Sequence, residues 1–362
     1  MGTLGLRRKQ EVWFLLEGAA SRYGVQTDLA VEARELIVHK EGPPEIPGVE
    51  VETVKTEVSF ITRINITTDD GARIMEKMPG RYSTLEVPGM RERNRDVQEK
   101  ISQDLAGELG RFIEDIEPED PVLVVGLGNW NATPDALGPK VVGNLMVTRH
   151  LYEMTPPEVR GGLRPVATIS PGVLGLTGIE TGEIIRALVA QIEPSLVICV
   201  DALASRSVKR LCTTIQIADT GINPGSGVGN QRLAINQETL GCPVLAVGVP
   251  TVIHAATIVS DAMELVQDPN RAQGPAIADE LPKKTEFNID PQLITKGVSP
   301  DFQQDRRELI HSMLEPYMGK MIVTPKEIDV LIDDVAEIVA GGLNAALHPS
   351  LDLDRVFDYL QG

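Results

Sequence analysis

The chain has 362 residues, and 52 Asp and Glu outnumber 34 Lys and Arg for a formal net charge of −18 at pH 7. That surplus excludes a general nucleic-acid binder, which needs a basic stripe to displace phosphate counterions, and it disfavours docking on an anionic membrane. Hydrophobic residues are 42% and charged residues 24%, a globular balance in a chain long enough for two domains or one large one.

Residues 1–28 read as a separate segment. Its short apolar patch at 12–16 is hemmed in by Glu11 and Glu17, a poor secretory signal. No apolar run approaches the ~20 residues that span a bilayer. Apolar positions 29, 33, 36 and 37 predict a helix over 29–40, and the proline-rich 41–48 predicts a linker. Val58, Phe60, Ile64 and Ile66 then alternate with more polar residues, which predicts a half-buried strand paired with 49–54. Asp69-Asp70-Gly71 reads as a turn, and 79–90 as loop or strand.

From 96 the pattern changes. Val97, Ile101, Leu105, Leu109, Phe112, Ile113 and Ile116 fall on one helical stripe. The run at 121–129 is a buried strand, followed by helices at 138–153, 179–192 and 251–266 and strands at 166–170, 196–200, 211–218 and 243–249. This alternation implies an α/β fold, a mostly parallel sheet with helices on both faces. Residues 267–300 are an irregular excursion, 301–317 a helix, and Thr324-Pro325-Lys326-Glu327 a capping box opening a last helix to about 340.

Two acidic residues stand where an open parallel sheet binds ligands, outside the carboxyl ends of its strands. Asp135 follows the strand that ends at Gly126, and either caps the next helix or serves a site. Asp201 comes directly after five apolar residues, and either pairs with Arg206, caps a short helix, or sits desolvated as an acid–base group. Close carboxylates share a proton, so one can act as base on a water and the other as acid. The loop at 219–232 carries Gly225, Gly227 and Gly229 and either offers amides to an oxyanion or is plain surface. Neither it nor Gly126-Leu127-Gly128 completes a dinucleotide fingerprint. A single Asp219-Thr220-Gly221 in an α/β pattern does not make a pepsin-like enzyme, which is all-β and uses two such triplets. Ser170 lacks a nucleophile-elbow context. Cys199, Cys212 and Cys242 show no metal or redox spacing and read as buried reduced thiols. The five His residues are scattered and form no metal motif.

The segments GLGNWNATPDALGP (126–139), SPGVLGLTGIETGEII (170–185), VICVDALASRS (197–207), DTGINPGSGVGNQR (219–232) and VGVPTVIHAATI (247–258) resemble, in that order, the spore germination proteases of endospore-forming bacteria. The likeness runs from TDLAVEARE (27–35) to the C-terminal helices. It implies an endopeptidase that degrades small acid-soluble spore proteins once germination begins, by an atypical aspartic mechanism whose two critical residues fall on Asp135 and Asp201. It also implies a fold related to hydrogenase-maturation proteases and phosphorylases, a homotetramer, and a zymogen made in the cytoplasm of the forespore and held in the spore core. No cofactor, nucleic-acid partner or membrane partner is expected. The maturation proteases hold a metal with carboxylates and a His; no block here has the matching His, so no metal is expected, and His254 is left without an account.

The resemblance further implies cleavage after an acidic residue, before an apolar residue and Ala, with a Glu downstream. Arg206, Arg232, Lys209 and Arg210, with the loop at Gly227, are candidates to bind such a substrate, and equally read as solvated charges. Thr27-Asp28-Leu29-Ala30-Val31-Glu32 carries the same pattern with Asp at the cut, so self-processing is expected between Asp28 and Leu29. The Asp side chain, one methylene shorter than Glu, makes this a slower site. The chain then divides into a propeptide (1–28), an N-terminal helix and β-rich excursion packed on the core (29–95), an α/β catalytic core (96–266), an irregular excursion (267–300) and a C-terminal helical segment (301–362). Two other classes fit the sheet pattern: a nucleoside- or nucleotide-binding enzyme of the phosphorylase type, and a non-catalytic oligomeric scaffold.

Overall fold

The computed structural model describes residues 27–38, 45–154, 156, 163–224, 233–259 and 321–349. Its strands are β1 (Val49–Lys55), β2 (Phe60–Ile66), β3 (Gly80–Glu86), β4 (Val122–Gly126), β5 (Val166–Ile169), β6 (Leu196–Ser205), β7 (Thr214–Ala218), β8 (Val244–His254) and β9 (Ile322–Val323). They form a single sheet in the order β1-β2-β3-β7-β8-β6-β4-β5, with β9 on β8. The centre, β8-β6-β4-β5, is parallel. The wing, β1-β2-β3-β7, is antiparallel and joins the centre by the antiparallel pair β7–β8.

The helices are α1 (Ala30–Val38), α2 (Asp69–Met75), α3 (Arg95–Phe112), α4 (Leu137–Gly143), α5 (Arg149–Met154), α6 (Leu174–Thr177), α7 (Thr181–Ile192), α8 (Gln237–Leu240) and α9 (Ile328–Leu347). The period of two along the strands sorts the core into two faces. On one face Val122, Val124, Ile198, Val200, Leu245 and Val247 pack under α3 and α9. On the other, Leu123, Val125, Val197 and Cys199 meet Ile185 and Val189 of α7. On that same side the wing residues Ile64, Ile66 and Tyr82 pack with Leu203 against α1 and α2. The expected α/β fold, with parallel central strands and helices on both faces, is therefore present.

Several local expectations are corrected. The excursion before residue 95 extends the sheet, because β3 pairs with β7 over Tyr82–Glu86. Residues 69–71 open α2: Thr68 is extended and its hydroxyl accepts the Gly71 amide, and Asp69 and Asp70 sit in the favourable first turn. The helix expected over 138–153 is two short ones, α4 and α5. The helix expected from 251 is still strand to His254, where Thr251, Val252 and Ile253 are β-branched. The hydroxyl of Thr324 donates to Thr251 O at 2.9 Å, so it ties β8 down, and α9 starts at Ile328 with no side-chain cap. The expected segments 267–300 and 301–317 lie outside the described residues.

Candidate active site

Asp135 is placed by a turn that only glycines permit. Gly128 has φ +109°, and a Cβ there would stand 1.9 Å from Asp135 O. The Asn129 amide donates to Asp135 O at 3.0 Å and the Asp135 amide to Ala132 O at 2.7 Å. These bonds close the loop over the 3₁₀ turn Thr133–Asp135. At Gly138 a Cβ would lie 2.5 Å from Val200 O, so α4 starts against the backbone of β6. The Leu127 amide donates to Val200 O at 2.8 Å, and Thr251 Oγ1 donates to Pro134 O at 2.6 Å. The turn bearing Asp135 is thus pinned to β6 and β8 together. Helix capping does not explain Asp135: the N-cap of α4 is Ala136, and no side chain caps it.

Asp201 lies inside β6, in register with Gly248 of β8. Its strand was expected to end at Val200 but runs to Ser205, so no helix follows for Asp201 to cap. It is 6% exposed, and its Oδ1 accepts the Ala202 amide at 2.9 Å. It is the next residue after Val200, on which the Asp135 loop is docked. The structure therefore brings both sequence-predicted acids to one end of the central sheet. Two residues earlier, Cys199 is buried, and burial first and the charge of Asp201 second push its thiol far above the ordinary range.

The proposed substrate cations fare differently. The Arg206 amide donates to Glu32 Oε2 at 2.7 Å, so its backbone is fixed beside α1. Arg210 is spent inside the protein, bonding Glu35 at 2.6 and 2.7 Å, Glu86 at 2.8 Å and Glu32 at 3.3 Å. Burial opposes its charge, yet these carboxylates raise its pKa further above the ordinary value. It is a structural clamp rather than a substrate reader. Lys209 is exposed. Gly227 and Arg232 lie outside the described residues, as does the expected propeptide up to residue 26.

The expected processing bond is in view. The Asp28 amide donates to Ala204 O at 3.0 Å, and Asp28 Oδ2 accepts the Ala204 amide at 2.8 Å. This segment lies on the edge of β6 beyond the stretch, ending at Val200, that pairs with β4. The Asp28 carbonyl accepts Lys77 Nζ at 3.0 Å and Gln216 Nε2 at 3.1 Å, while Gln216 Oε1 takes the Ala30 amide at 2.7 Å. Leu29 and Ala30 are fully buried. Sequence reasoning missed Lys77 and Gln216. Neither sits in a motif, and only the fold brings them to residue 28, 49 and 188 positions away.

Other motifs resolve into structure. Asp219 of the Asp-Thr-Gly triplet pairs with Arg81 at 2.8 Å and takes the Arg81 amide at 2.7 Å, fastening the wing. The Ser170 hydroxyl donates to Gly126 O at 3.2 Å. His254 ends β8 opposite Ile322. Among the described residues, no group of three His, Cys, Asp or Glu side chains is arranged to hold a metal, and no helix is long and apolar enough to cross a membrane.

A central parallel sheet with helices on both faces defines an α/β protein, with Asp135 and Asp201 at one end of its central strands. Comparison gives the particular family. A family model described as germination protease matches residues 30–270 and 279–360. The germination protease of Clostridium perfringens (strain SM101) is 47% identical over 340 residues, covering 93% of this chain and 99% of the relative. That of Clostridium tetani is 45% identical over 336 residues, with 93% and 99% covered. That of Bacillus cereus (strain G9842) is 43% identical over 359 residues, with 94% and 98% covered. A crystal structure of the nickel–iron hydrogenase maturation protease HycI from Thermococcus kodakarensis KOD1 is similar at a TM-score of 0.27 and 20% identity, over 40% of this chain and 80% of that one. The chain belongs to the germination protease family and is a peptidase.

Proposed function

We propose that the protein is an endopeptidase that begins the breakdown of small acid-soluble spore proteins, with Asp135 and Asp201 as a proton-sharing pair. The observation that supports the reading is the docking of the Asp135 turn on Val200 and Thr251, at the end of the sheet that carries Asp201, in a chain of this family. One carboxylate takes a proton from water as it attacks the peptide carbonyl, and the other gives a proton to the leaving amine. The acidic residue before the cut meets a basic subsite to which Arg206 and Arg232 contribute, and Gly227 is a further substrate-binding residue. The enzyme is a homotetramer in the spore core.

The protein is made as a zymogen and cuts itself between Asp28 and Leu29. That bond is hydrogen-bonded and buried in this conformation, so cleavage follows a local opening of residues 27–30, which adds to the slowness expected of Asp at the cut. Incubation of the processed protein with a small acid-soluble spore protein, with and without a chelator, and mass-spectrometric mapping of the cut bonds tests the activity. Cuts after acidic residues are expected; an intact substrate refutes the reading. Sedimentation analysis tests the tetramer. For processing, wild type and Asp135→Asn are held under mildly acidic, low-water conditions and their N-termini sequenced. A first residue other than Leu29, or equal processing of the variant on its own, refutes self-cleavage at this bond.

A further inference from the structure

Hydrolysis of the Asp28–Leu29 bond breaks C–N, places the water oxygen on the Asp28 carbonyl carbon, and leaves a carboxylate on Asp28 and an α-ammonium on Leu29. The two products have different fates. Leu29 and Ala30 are fully buried, and Val31, Ala33 and Ile37 nearly so. They share a cluster with Ile64, Ile66, Tyr82 and Leu203, so the chain from residue 29 is core and stays in place. Thr27 and Asp28 are held by hydrogen bonds at the edge of β6 and can leave with the segment before them. The cut therefore creates a positive charge at a buried position, one residue before α1. The positive end of the helix dipole repels it there, and burial forbids leaving it unpaired.

A carboxylate is already in reach. Glu32 is 2% exposed and lies in the first turn of α1. Its Oε2 accepts the Thr27 hydroxyl and the Arg206 amide, and its Oε1 accepts the Ser207 amide at 3.0 Å. The same Thr27 hydroxyl oxygen accepts the Leu29 amide at 3.1 Å. One hydroxyl group, belonging to the departing side of the cut, separates Leu29 N from Glu32 Oε2.

We infer that Glu32 is the binding site for the α-ammonium of Leu29, which takes the place of the Thr27 hydroxyl once the Asp28–Leu29 bond is cut. This rests on the processing proposed above. The exchange substitutes an ion pair for a hydrogen bond from an uncharged donor. It also keeps Glu32 on the Arg206 and Ser207 amides, so the turn leaving β6, the strand that bears Asp201, holds its place when the propeptide goes. Other charged groups face the pair. Arg210 contacts the opposite oxygen of Glu32, its charge shared with Glu35 and Glu86. Lys77 loses its bonds to the Thr27 and Asp28 carbonyls and keeps the nearby charges of Glu32 and Glu76. Lys77 and Arg210 oppose the ammonium, and Glu32 supplies the local attraction that outweighs them.

A pKa raised above the ordinary α-amine value of about 7.7–8.0 follows. The stabilisation is then complete below that range and lost as pH rises through the folded value. The full chain is allowed to process, its first residue is sequenced, and the Leu29 amine is titrated by its rate of acylation with an amine-reactive ester between pH 6 and pH 10. A shift of about one unit makes the amine about tenfold less reactive near pH 6, and about fivefold near pH 8, than that of a free Leu-Ala-Val-Glu peptide. Glu32→Gln should return it to the peptide rate; if that variant does not fold, the wild-type profile decides alone. Leu29 as first residue with an amine acylated at the peptide rate overturns the inference and leaves the processing reading standing. Any other first residue overturns both.

Discussion

In the antiparallel wing, carboxylates set against the sheet meet guanidinium groups. Glu108 and Glu52 bond Arg63, Asp219 bonds Arg81, and Glu86 bonds Arg210. In the parallel centre, β4 and the first five residues of β6 are wholly apolar, and the first acid, Asp201, takes the amide of its own successor. Each of these wing carboxylates is bonded to a guanidinium, which serves shape. Asp201 accepts a backbone amide within a buried strand, and the role proposed for it is to exchange a proton.

The largest effect expected from breaking this contrast is at the centre. Asp135→Asn and Asp201→Asn should each lower peptide hydrolysis by at least ~10²–10⁴-fold with circular dichroism unchanged. Near-normal turnover in either variant removes it from the catalytic pair. The next is at the junction of α1 with the sheet. Arg210→Met removes the guanidinium bonded to Glu32, 2% exposed, and breaking a buried pair from one side costs about 3–5 kcal/mol. Urea unfolding should show that loss; a change below ~1 kcal/mol would make the clamp decorative.

A smaller effect belongs to Glu108. Burial alone would raise its carboxyl, but the hydrogen bonds from Arg63 and Ser83 and the Arg63 charge together hold it below the usual range. With the folded value lowered, the stabilisation is complete above the unfolded carboxylate value near 4.3 and disappears as pH falls through the folded value. Glu108→Gln should lose about 1–3 kcal/mol at neutral pH and show a flatter decline below pH ~4. A variant with the wild-type acid profile assigns the decline to other carboxylates.

The same contrast explains what the sequence made legible. Strand β4 and the first halves of β6 and β8 are buried on both faces, so they appear as largely apolar runs, and acids beyond such runs stand out; Asp135 and Asp201 were singled out that way. The wing was less legible because its place depends on pairing Tyr82 with Ala218, far apart in the chain. The Glu32 clamp was invisible for the same reason, since its amide partner at Arg206 is 174 residues away. Where local signals misled, tertiary bonds had prevailed. Thr324 precedes a Pro as a capping residue should, yet its hydroxyl goes to Thr251 O. Asp69-Asp70-Gly71 looks like a turn until the Thr68 hydroxyl caps it as a helix.

The smallest effect is expected two residues before Asp201, on the same face of the sheet. Cys199 is fully buried, and desolvation and the Asp201 charge both disfavour its thiolate. Cys212 is buried as well, its thiol pushed up to about 11 by desolvation despite Arg91 nearby, and burial raises Cys242 too. A thiol nucleophile needs the opposite environment, one that stabilises the thiolate. The triple Cys→Ala variant should therefore keep peptide hydrolysis within about twofold of wild type. Its cost should appear only in stability, about 1 kcal/mol and mostly from the small cavity at Cys199. If activity is lost while the circular dichroism and the urea midpoint hold, a sulfur takes part in the reaction, and the division between an acid–base centre and a structural wing needs redrawing around Cys199.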